Sequence, residues 1–462
     1  MHLSAAKITE LTGGILPQSG GWYATGICID SRTLQKGDLF VALRGERFDG
    51  HNYAQKALKA GASGVLVEKP IPDAPQDRQI IVPDTLTAIG DIARTMRTDF
   101  AGKTIALTGS AGKTSTRELL KATLAHFGET YATGKNYNNH IGVPLTLCHL
   151  PPAADYGVFE LAMSAEGEIS GLTAMTRPDI ALVTNIYPMH IEFFESLEGI
   201  AHAKAEIFEG LGPDGVAIYN ADANHADVLA QKTKDLGIKN VLTFGREGDI
   251  KLLDTREESG KTHVDVNAAG EDLTFTLSSP GAHMVYNAMA VLSVVVALGL
   301  DPRKAALYLD EVGLLEGRGM THIVPCASGH FTLIDESYSG QPEAMKLALE
   351  NLANTNPKGD GRRIAVLGYM AELGKQSEAE HRGVGQKAAT AKLDVVYGVG
   401  EDIKPLLEEA EKTAETHYRK DITGLGQHLL QDVLKDGDVL LVKGSHHGSK
   451  VHQLVAKLLA KR

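Results

Sequence analysis

Thr104-Ile105-Ala106-Leu107-Thr108-Gly109-Ser110-Ala111-Gly112-Lys113-Thr114-Ser115 is the stretch that decides how this chain reads. Its first five residues are β-branched or apolar, a strand signature. Residues 113–127 carry helical periodicity. Between the two, glycines let the backbone turn tightly and aim N–H groups inward, and the start of the helix adds positive partial charge. Strand, glycine turn and helix in that order make a phosphate-binding loop. Lys113 is then placed to meet the β- and γ-phosphates of a nucleotide, and the Thr114 hydroxyl to hold Mg2+. The loop is a shortened one: the full motif has glycine five residues before Gly112, where this chain has Leu107.

Strand–helix alternation continues outward from the loop, with strands expected at 157–161, 180–185 and 216–220, the pattern of parallel βαβ units. An apolar helix at 285–300 and a second at 303–311 close this unit. Before it, residues 1–100 read as a small α/β unit, with strands at 38–43, 64–67 and 79–82 and a helix at 53–60. After it, the Gly-rich Glu316-Gly317-Arg318-Gly319 reads as a hinge into a third unit, with strands at 331–335, 363–367, 395–399 and 439–442. The expected fold class is α/β, with three α/β domains at 1–100, 101–315 and 316–462. A length of 462 residues agrees, at roughly 150 residues per domain.

Composition narrows the function. Hydrophobic residues make up 43% and charged residues 23%, an ordinary globular balance that excludes disordered, collagenous and coiled-coil classes. With 46 Lys+Arg against 58 Asp+Glu, the net charge is −12. No basic stripe offsets it, which argues against a nucleic-acid partner. The longest apolar run, 288–300, falls short of the roughly 20 residues a membrane span needs, so no membrane insertion is expected. The N-terminal MHLSAAKITELTGG lacks the basic start and apolar stretch of a secretion signal. Cys28, Cys148 and Cys326 lie far apart and outside any CxxC pair, consistent with a reducing cytoplasm.

Two further residues stand where chemistry collects in parallel α/β sheets, at the carboxyl ends of strands. Glu160 ends Val158-Phe159-Glu160, and His190 closes Thr184-Asn185-Ile186-Tyr187-Pro188-Met189-His190. A carboxylate and an imidazole delivered there could hold a second cation beside the phosphates. Read singly, other segments are bland. Lys204 reads as a surface lysine on an amphipathic helix, Asn136-Tyr137-Asn138-Asn139 as a turn, and Asp30-Ser31-Arg32 as a loop. Glu372 and His381 read as solvated charges.

Taken together, these segments resemble the Mur ligases along the whole chain. Asp30-Ser31-Arg32, residues 37–43 and Asp49-Gly50-His51 are similar to the family's uridine-nucleotide domain. Residues 108–114 resemble its shortened phosphate loop, and Asn136 to Pro144 its muramyl-substrate segment. The C-terminal Gly368-Tyr369-Met370-Ala371-Glu372-Leu373-Gly374, with Ser377 and His381, resembles the signature of the branch that adds D-alanyl-D-alanine. The chain departs from the family at Glu160-Leu161-Ala162, at Ser164, and at Tyr338-Ser339-Gly340-Gln341-Pro342, where asparagines are usual.

The resemblance implies a central sheet of the P-loop ATPase type and a Rossmann-like C-terminal domain. It implies Lys113, Glu160, His190 and Lys204 as catalytic residues, with Thr114, Glu160, His190 and a carbamylated Lys204 as metal ligands. It assigns ATP to Gly109, Ser110, Ala111, Gly112, Lys113, Thr114, Ser115, Asn287, Arg318 and Asp335. The muramyl substrate falls to Ser31, Arg32, Asp49, Gly50, His51, Asn138, Asn139 and Ser164. The implied activity is an ATP- and Mg2+-dependent amide ligase that joins UDP-N-acetylmuramoyl-tripeptide to D-alanyl-D-alanine through an acyl phosphate, as a cytoplasmic monomer in peptidoglycan precursor synthesis. Three other readings stay open at this point, the third a simple P-loop kinase, which explains neither outer domain. Another amino-acid-adding ligase of the superfamily shares the loop and metals, and a panel of amine acceptors separates it. A non-catalytic nucleotide-binding paralogue is separated by phosphate release.

Overall fold

The computed structural model describes residues 1–45, 48–134, 136–189, 191–258, 261–278, 281–312, 316–445 and 448–460. The chain packs as two compact units, Met1–Tyr187 with Leu197–Val312, and Pro188–Ser196 with Gly313–Arg462. The first unit holds two sheets built on the α/β plan and the second holds one, so the α/β fold class read from the alternation is the one observed.

The smaller sheet of the first unit is parallel, in the order Gly26–Cys28, Asp38–Val41, Gly64–Val67, Gln79–Ile81. Phe40, Val65 and Val67 of its strands meet Ala54 and Ala57 of the helix His51–Lys59. Asp84 starts the next helix, Thr85–Asp99, by accepting the Thr87 N–H, which satisfies one of the donors a helix start leaves over.

The larger sheet carries the phosphate loop. Its order is Thr130–Ala132, Tyr156–Glu160, Lys103–Thr108, Ile180–Val183, Val216–Asn220, Asn240–Gly245, and then Ile250–Glu258, Lys261–Ala268 and Glu271–Leu277. Pairing is parallel as far as Ile250–Glu258 and antiparallel beyond. The helix Ala282–Ala297 packs into the core beneath, with ten of its residues buried. Its apolar sequence is that of a helix covered all round. Among the described residues no helix is long and apolar enough to cross a membrane.

Two parts differ from the sequence expectation. The helix expected at 303–311 ends at Ala306. The residues after it turn instead, placing the Tyr308 ring flat on His126 with centroids 3.5 Å apart and the Glu311 carboxylate 2.7 Å from the same imidazole. The strands Ile250–Glu258, Lys261–Ala268 and Glu271–Leu277 are not among those expected; the first exposes Lys251, Asp254, Arg256, Glu257 and Glu258 in near succession, while the other two alternate buried and more exposed residues.

The second unit is a six-stranded sheet in the order Met320–Cys326, Gly329–Glu336, Val439–Lys443, Arg363–Gly368, Val395–Val399, Glu415–Arg419. Only the first strand is antiparallel to its neighbour. Separate apolar clusters cover its two faces, one around Leu349, Val384 and Leu406 and the other around Leu425, Leu429 and Leu454. A parallel sheet requires this double cover.

His381, which reads as a solvated charge in the sequence, is fully buried. Its Nε2 accepts the Met370 N–H at 2.9 Å, and its Nδ1 donates to the Ser377 carbonyl at 2.7 Å. Both ring nitrogens are spent pinning the loop that follows the strand Arg363–Gly368. Burial pushes the imidazole below its ordinary value. The neutral ring is the one that can accept from Met370, so the stability it lends is present above the unfolded value near pH 6.5 and is lost as pH falls through the lowered folded value. Amide exchange over 368–374, corrected for its intrinsic pH dependence, is therefore expected to accelerate as pH falls below about 6.5, the ordinary imidazole value. His381→Gln should remove that step. An identical step in the variant rules out the imidazole as its source.

Candidate functional site

Three neighbouring strand ends of the larger sheet meet at the phosphate loop. In register, Glu160 lies opposite Leu107 and Val183 opposite Thr108. The loop from Thr108, the carboxylate of Glu160 and the Thr184–Tyr187 segment thus leave the sheet side by side, at the edge where parallel sheets bind ligands.

The loop is braced from behind. Asn185 accepts the Ala111 N–H through Oδ1 at 2.7 Å and returns Nδ2 to the Ala111 carbonyl at 3.0 Å, while its own carbonyl takes the Ser110 N–H. Thr184 donates its hydroxyl to the same Ala111 carbonyl, and Ser110 Oγ is tied to the Tyr187 backbone in both directions. Gly112 begins the helix Lys113–Leu124 at φ +80° with no side-chain cap. A Cβ there would stand 2.5 Å from Asn287 Oδ1, so both backbone and space demand glycine. Asn287, itself buried, also accepts the Thr116 hydroxyl and so backs the first turn of the helix. A cradle closed to side chains, ending on an uncapped helix start, fits a phosphate group. Lys113 Nζ donates to the Gly109 and Ser110 carbonyls at 2.6 and 3.3 Å, folded over the loop it serves.

Beside the loop, Glu160 is 2% exposed. Its Oε2 accepts from the Thr114 hydroxyl at 3.1 Å and from Arg117 Nη1 at 2.9 Å, and its Oε1 accepts from Asn138 Nδ2 at 2.8 Å. Thr114 and Glu160 offer hard oxygen donors. Their 3.1 Å separation matches the edge of a Mg2+ octahedron, about 3 Å for ligands at about 2.1 Å. The pair fits the expected cation. His190 lies outside the described residues, and among those described no group of three or more His, Cys, Asp or Glu side chains is placed to hold a metal.

Lys204 corrects its sequence reading. On the helix Leu197–Ala205 it is 2% exposed rather than a surface lysine. Burial, and then the neighbouring Lys113 charge, drive its amine well below the ordinary lysine value. Nothing local marks the Lys204 side chain as inward-facing; the helix that carries it packs against the helices Glu168–Thr176 and Ala226–Asp235.

The other expected site residues fall into three groups. In the small sheet, Asp30 grips Arg32 through both carboxylate oxygens, beside the half-buried Ser31. His51 is buried. Its Nε2 accepts the Glu68 N–H, so its Nδ1 proton faces Asp49, and the His51 backbone N–H holds the Asp49 carboxyl below the usual range. Asp49-Gly50-His51 is therefore a tie between the helix His51–Lys59 and the strand Gly64–Val67, which shapes the surface around it. Near the loop, Asn139 caps the helix Gly142–Cys148 by accepting from Ile141 and Gly142, and Ser164 is exposed with its N–H on Glu168. In the second unit, Asp335 is buried and accepts from Gly317 N–H, Ser337 N–H and Ser337 Oγ, while the Arg318 guanidinium lies 4.1 Å over the Tyr338 ring. Asp335 thus sets the backbone that presents Arg318.

The sequence reading passed over Thr184, Asn185 and Arg117. A polar pair directly after an apolar strand was the available signal for the first two. The three-residue spacing from Thr114, which puts two helical side chains on one face, was the signal for Arg117.

Comparison with known proteins follows the same division of the chain. The Mur ligase family catalytic domain matches residues 23–97, the Mur ligase middle domain 107–295, and the Mur ligase glutamate ligase domain 321–446. The chain is 34% identical to the UDP-N-acetylmuramoyl-tripeptide–D-alanyl-D-alanine ligase of Bacillus subtilis, over 98% of this chain and 97% of that one. With the Escherichia coli ligase of the same name it shares 36%, over 93% and 90%. Among solved structures it is similar to MurF from Acinetobacter baumannii, with TM-score 0.86 and 30% identity over 100% of this chain and 99% of that one. It is also similar to the MurF ligase of Thermotoga maritima in complex with ADP, with TM-score 0.77 and 27% identity over 95% and 98%.

Lys113→Ala removes the cation nearest the cradle. It should leave the circular dichroism spectrum and melting profile close to wild type while cutting ATP-dependent phosphate release by about two orders of magnitude or more, the scale of losing one preorganised donor to a charged transition state. Near wild-type release would overturn the assignment of the loop.

Proposed function

Because the chain belongs to the Mur ligase family, we propose that it joins the terminal carboxylate of UDP-N-acetylmuramoyl-tripeptide to the amine of D-alanyl-D-alanine with hydrolysis of ATP to ADP and phosphate, in the cytoplasm and as a monomer. The observation that carries this reading is the near full-length likeness to the Bacillus subtilis ligase of that name, joined to a phosphate loop whose Thr114 touches a buried carboxylate.

The chemistry suits the parts. A carboxylate does not react with amines, so one of its oxygens first attacks the γ-phosphorus and ADP leaves, giving an acyl phosphate. Lys113 and the uncapped helix start supply fixed positive charge for the γ-phosphoryl oxygens as charge spreads over them. Mg2+, when bound at Thr114 and Glu160, relieves repulsion between the incoming carboxylate and the phosphates. Asn185 and Thr184 keep the loop rigid during transfer, so no reorganisation is needed at that moment. The dipeptide nitrogen then attacks the acyl carbon, the C–O bond to phosphate breaks, and the nitrogen gives up a proton. Residues 1–100, around Ser31, Arg32, Asp49, Gly50 and His51, serve the uridine end of the donor, with Asn138, Asn139 and Ser164 nearer its reacting end. Residues 101–315 serve ATP, and 316–462 the amine, with Arg318 and Asp335 completing the nucleotide site. His190 joins Glu160 as a ligand in this scheme.

Lys204 belongs to the same reading as a carbamate. A neutral amine is what adds to CO2: the N–C bond forms and one N–H proton passes to water. The burial of Lys204 next to Lys113 favours that neutral form. The product carries negative charge and two hard oxygens, suited to Mg2+.

The mass of the product formed from ATP, a UDP-muramoyl-tripeptide and D-alanyl-D-alanine tests the reaction. Donor plus dipeptide less one water supports it, and turnover only with a different acceptor from an amino-acid panel overturns it. The carbamate is tested with 13C-bicarbonate. A carbamate carbon resonance in the wild type, lost in Lys204→Ala, is expected, with the variant nearly inactive and partly rescued by short carboxylates. A labelled wild type without that resonance removes the carbamate and leaves Lys204 a plain buried amine.

A further inference from the structure

We propose that Arg117 is the positioning residue of the metal site, holding the Glu160 carboxylate in the orientation in which Oε2 faces Thr114. This rests on the reading of Glu160 as a metal ligand. Arg117 lies one helical turn after Thr114, and its side chain is 3% exposed against 2% for Glu160. Its Nη1 donates to Glu160 Oε2 at 2.9 Å, while Nε reaches Glu118 Oε1 at 3.1 Å on its other edge. A guanidinium is planar with donors in a fixed fork, so two carboxylates on two edges fix its plane and with it the oxygen it holds.

That oxygen is the one Thr114 also touches. A carboxylate oxygen carries two lone pairs. Arg117 takes one and leaves the other beside Thr114, where a cation replaces the hydroxyl proton contact. Asn138 fixes the second oxygen, so the carboxylate can neither rotate about its own axis nor swing away from the loop. An ion pair that served stability alone would not need to end on the oxygen shared with Thr114. Groups that orient a ligating carboxylate from behind usually matter about tenfold to a hundredfold in metal affinity.

The test reads metal binding rather than turnover. Mn2+ is titrated by electron paramagnetic resonance against the whole protein with ADP present, for the wild type, Arg117→Lys, Arg117→Met, Glu160→Gln and the Arg117→Met/Glu160→Gln double variant. Arg117→Met is expected to weaken Mn2+ binding about tenfold or more, with Arg117→Lys between it and the wild type. The double variant should bind no worse than Glu160→Gln alone, because Arg117 acts through that carboxylate. Steady-state kinetics should show the loss in the Mg2+ concentration needed for half-maximal rate more than in kcat. A folded Arg117→Met protein with the wild-type Mn2+ titration overturns the proposal. If Arg117→Met does not fold because a carboxylate is left buried and unpaired, Arg117→Lys decides, with weakened binding supporting the proposal and wild-type binding overturning it. Glu160→Gln keeps the two readings apart. A wild-type Mn2+ titration in that variant removes Glu160 as a ligand, whereas weakened binding there with none in Arg117→Met removes only the role of Arg117.

Discussion

A carboxylate shut away from water must be met by donors, and Glu160 is met by three, two from one helix and one from a turn. Thr114 and Arg117 arrive on the helix after the phosphate loop, Asn138 on the turn before the helix Gly142–Cys148, and Glu160 itself on the strand Tyr156–Glu160. Leaving such a group unpaired costs several kcal/mol. The requirement therefore ties loop, helix and turn to one another, and the nucleotide cradle inherits its rigidity from a charge that has nowhere else to go. Parallel pairing makes this meeting possible, since it brings Glu160 level with Leu107 one residue before the loop leaves its strand.

The second brace is neutral and works on the backbone. Asn185 and Thr184 between them engage the N–H groups of Ser110 and Ala111 and the carbonyl of Ala111. These N–H groups are thus already engaged, while the helix start at Gly112 has no side-chain cap. The division is physically sensible. A loop whose every donor waited for a ligand would collapse without one, whereas a loop half-anchored to its neighbour strand keeps its shape.

What could be read from the sequence was what is written in local terms. The phosphate loop was legible because its glycines, strand and helix lie within a dozen residues, and Glu160 because a charged residue closing an apolar strand is conspicuous. Lys204, His381 and Arg117 were not. Each is buried by elements distant in sequence; nothing in the helices 197–205 or 377–390 distinguishes an inward charge from an outward one, and Arg117 had only its three-residue spacing from Thr114 as a sign. The strand Ile250–Glu258 escaped for the converse reason, since exposed charges on successive residues mask the alternation that marks a half-buried strand, whereas Lys261–Ala268 and Glu271–Leu277 do alternate and could have been read.

Asp335 and His381 show the same economy in the second unit. Asp335 spends both oxygens on Gly317 and Ser337, and His381 both nitrogens on Met370 and Ser377. Each fixes a loop at the carboxyl edge of the sheet, after Gly329–Glu336 and after Arg363–Gly368. The left-handed backbone of Glu372, at φ +63°, sits two residues beyond the Met370 N–H that His381 holds. A non-glycine residue keeps such a conformation only where its surroundings over-determine it. In this unit, then, these two buried groups hold backbone and a neighbouring hydroxyl in place, and so shape the surface that exposed residues such as Glu372 present.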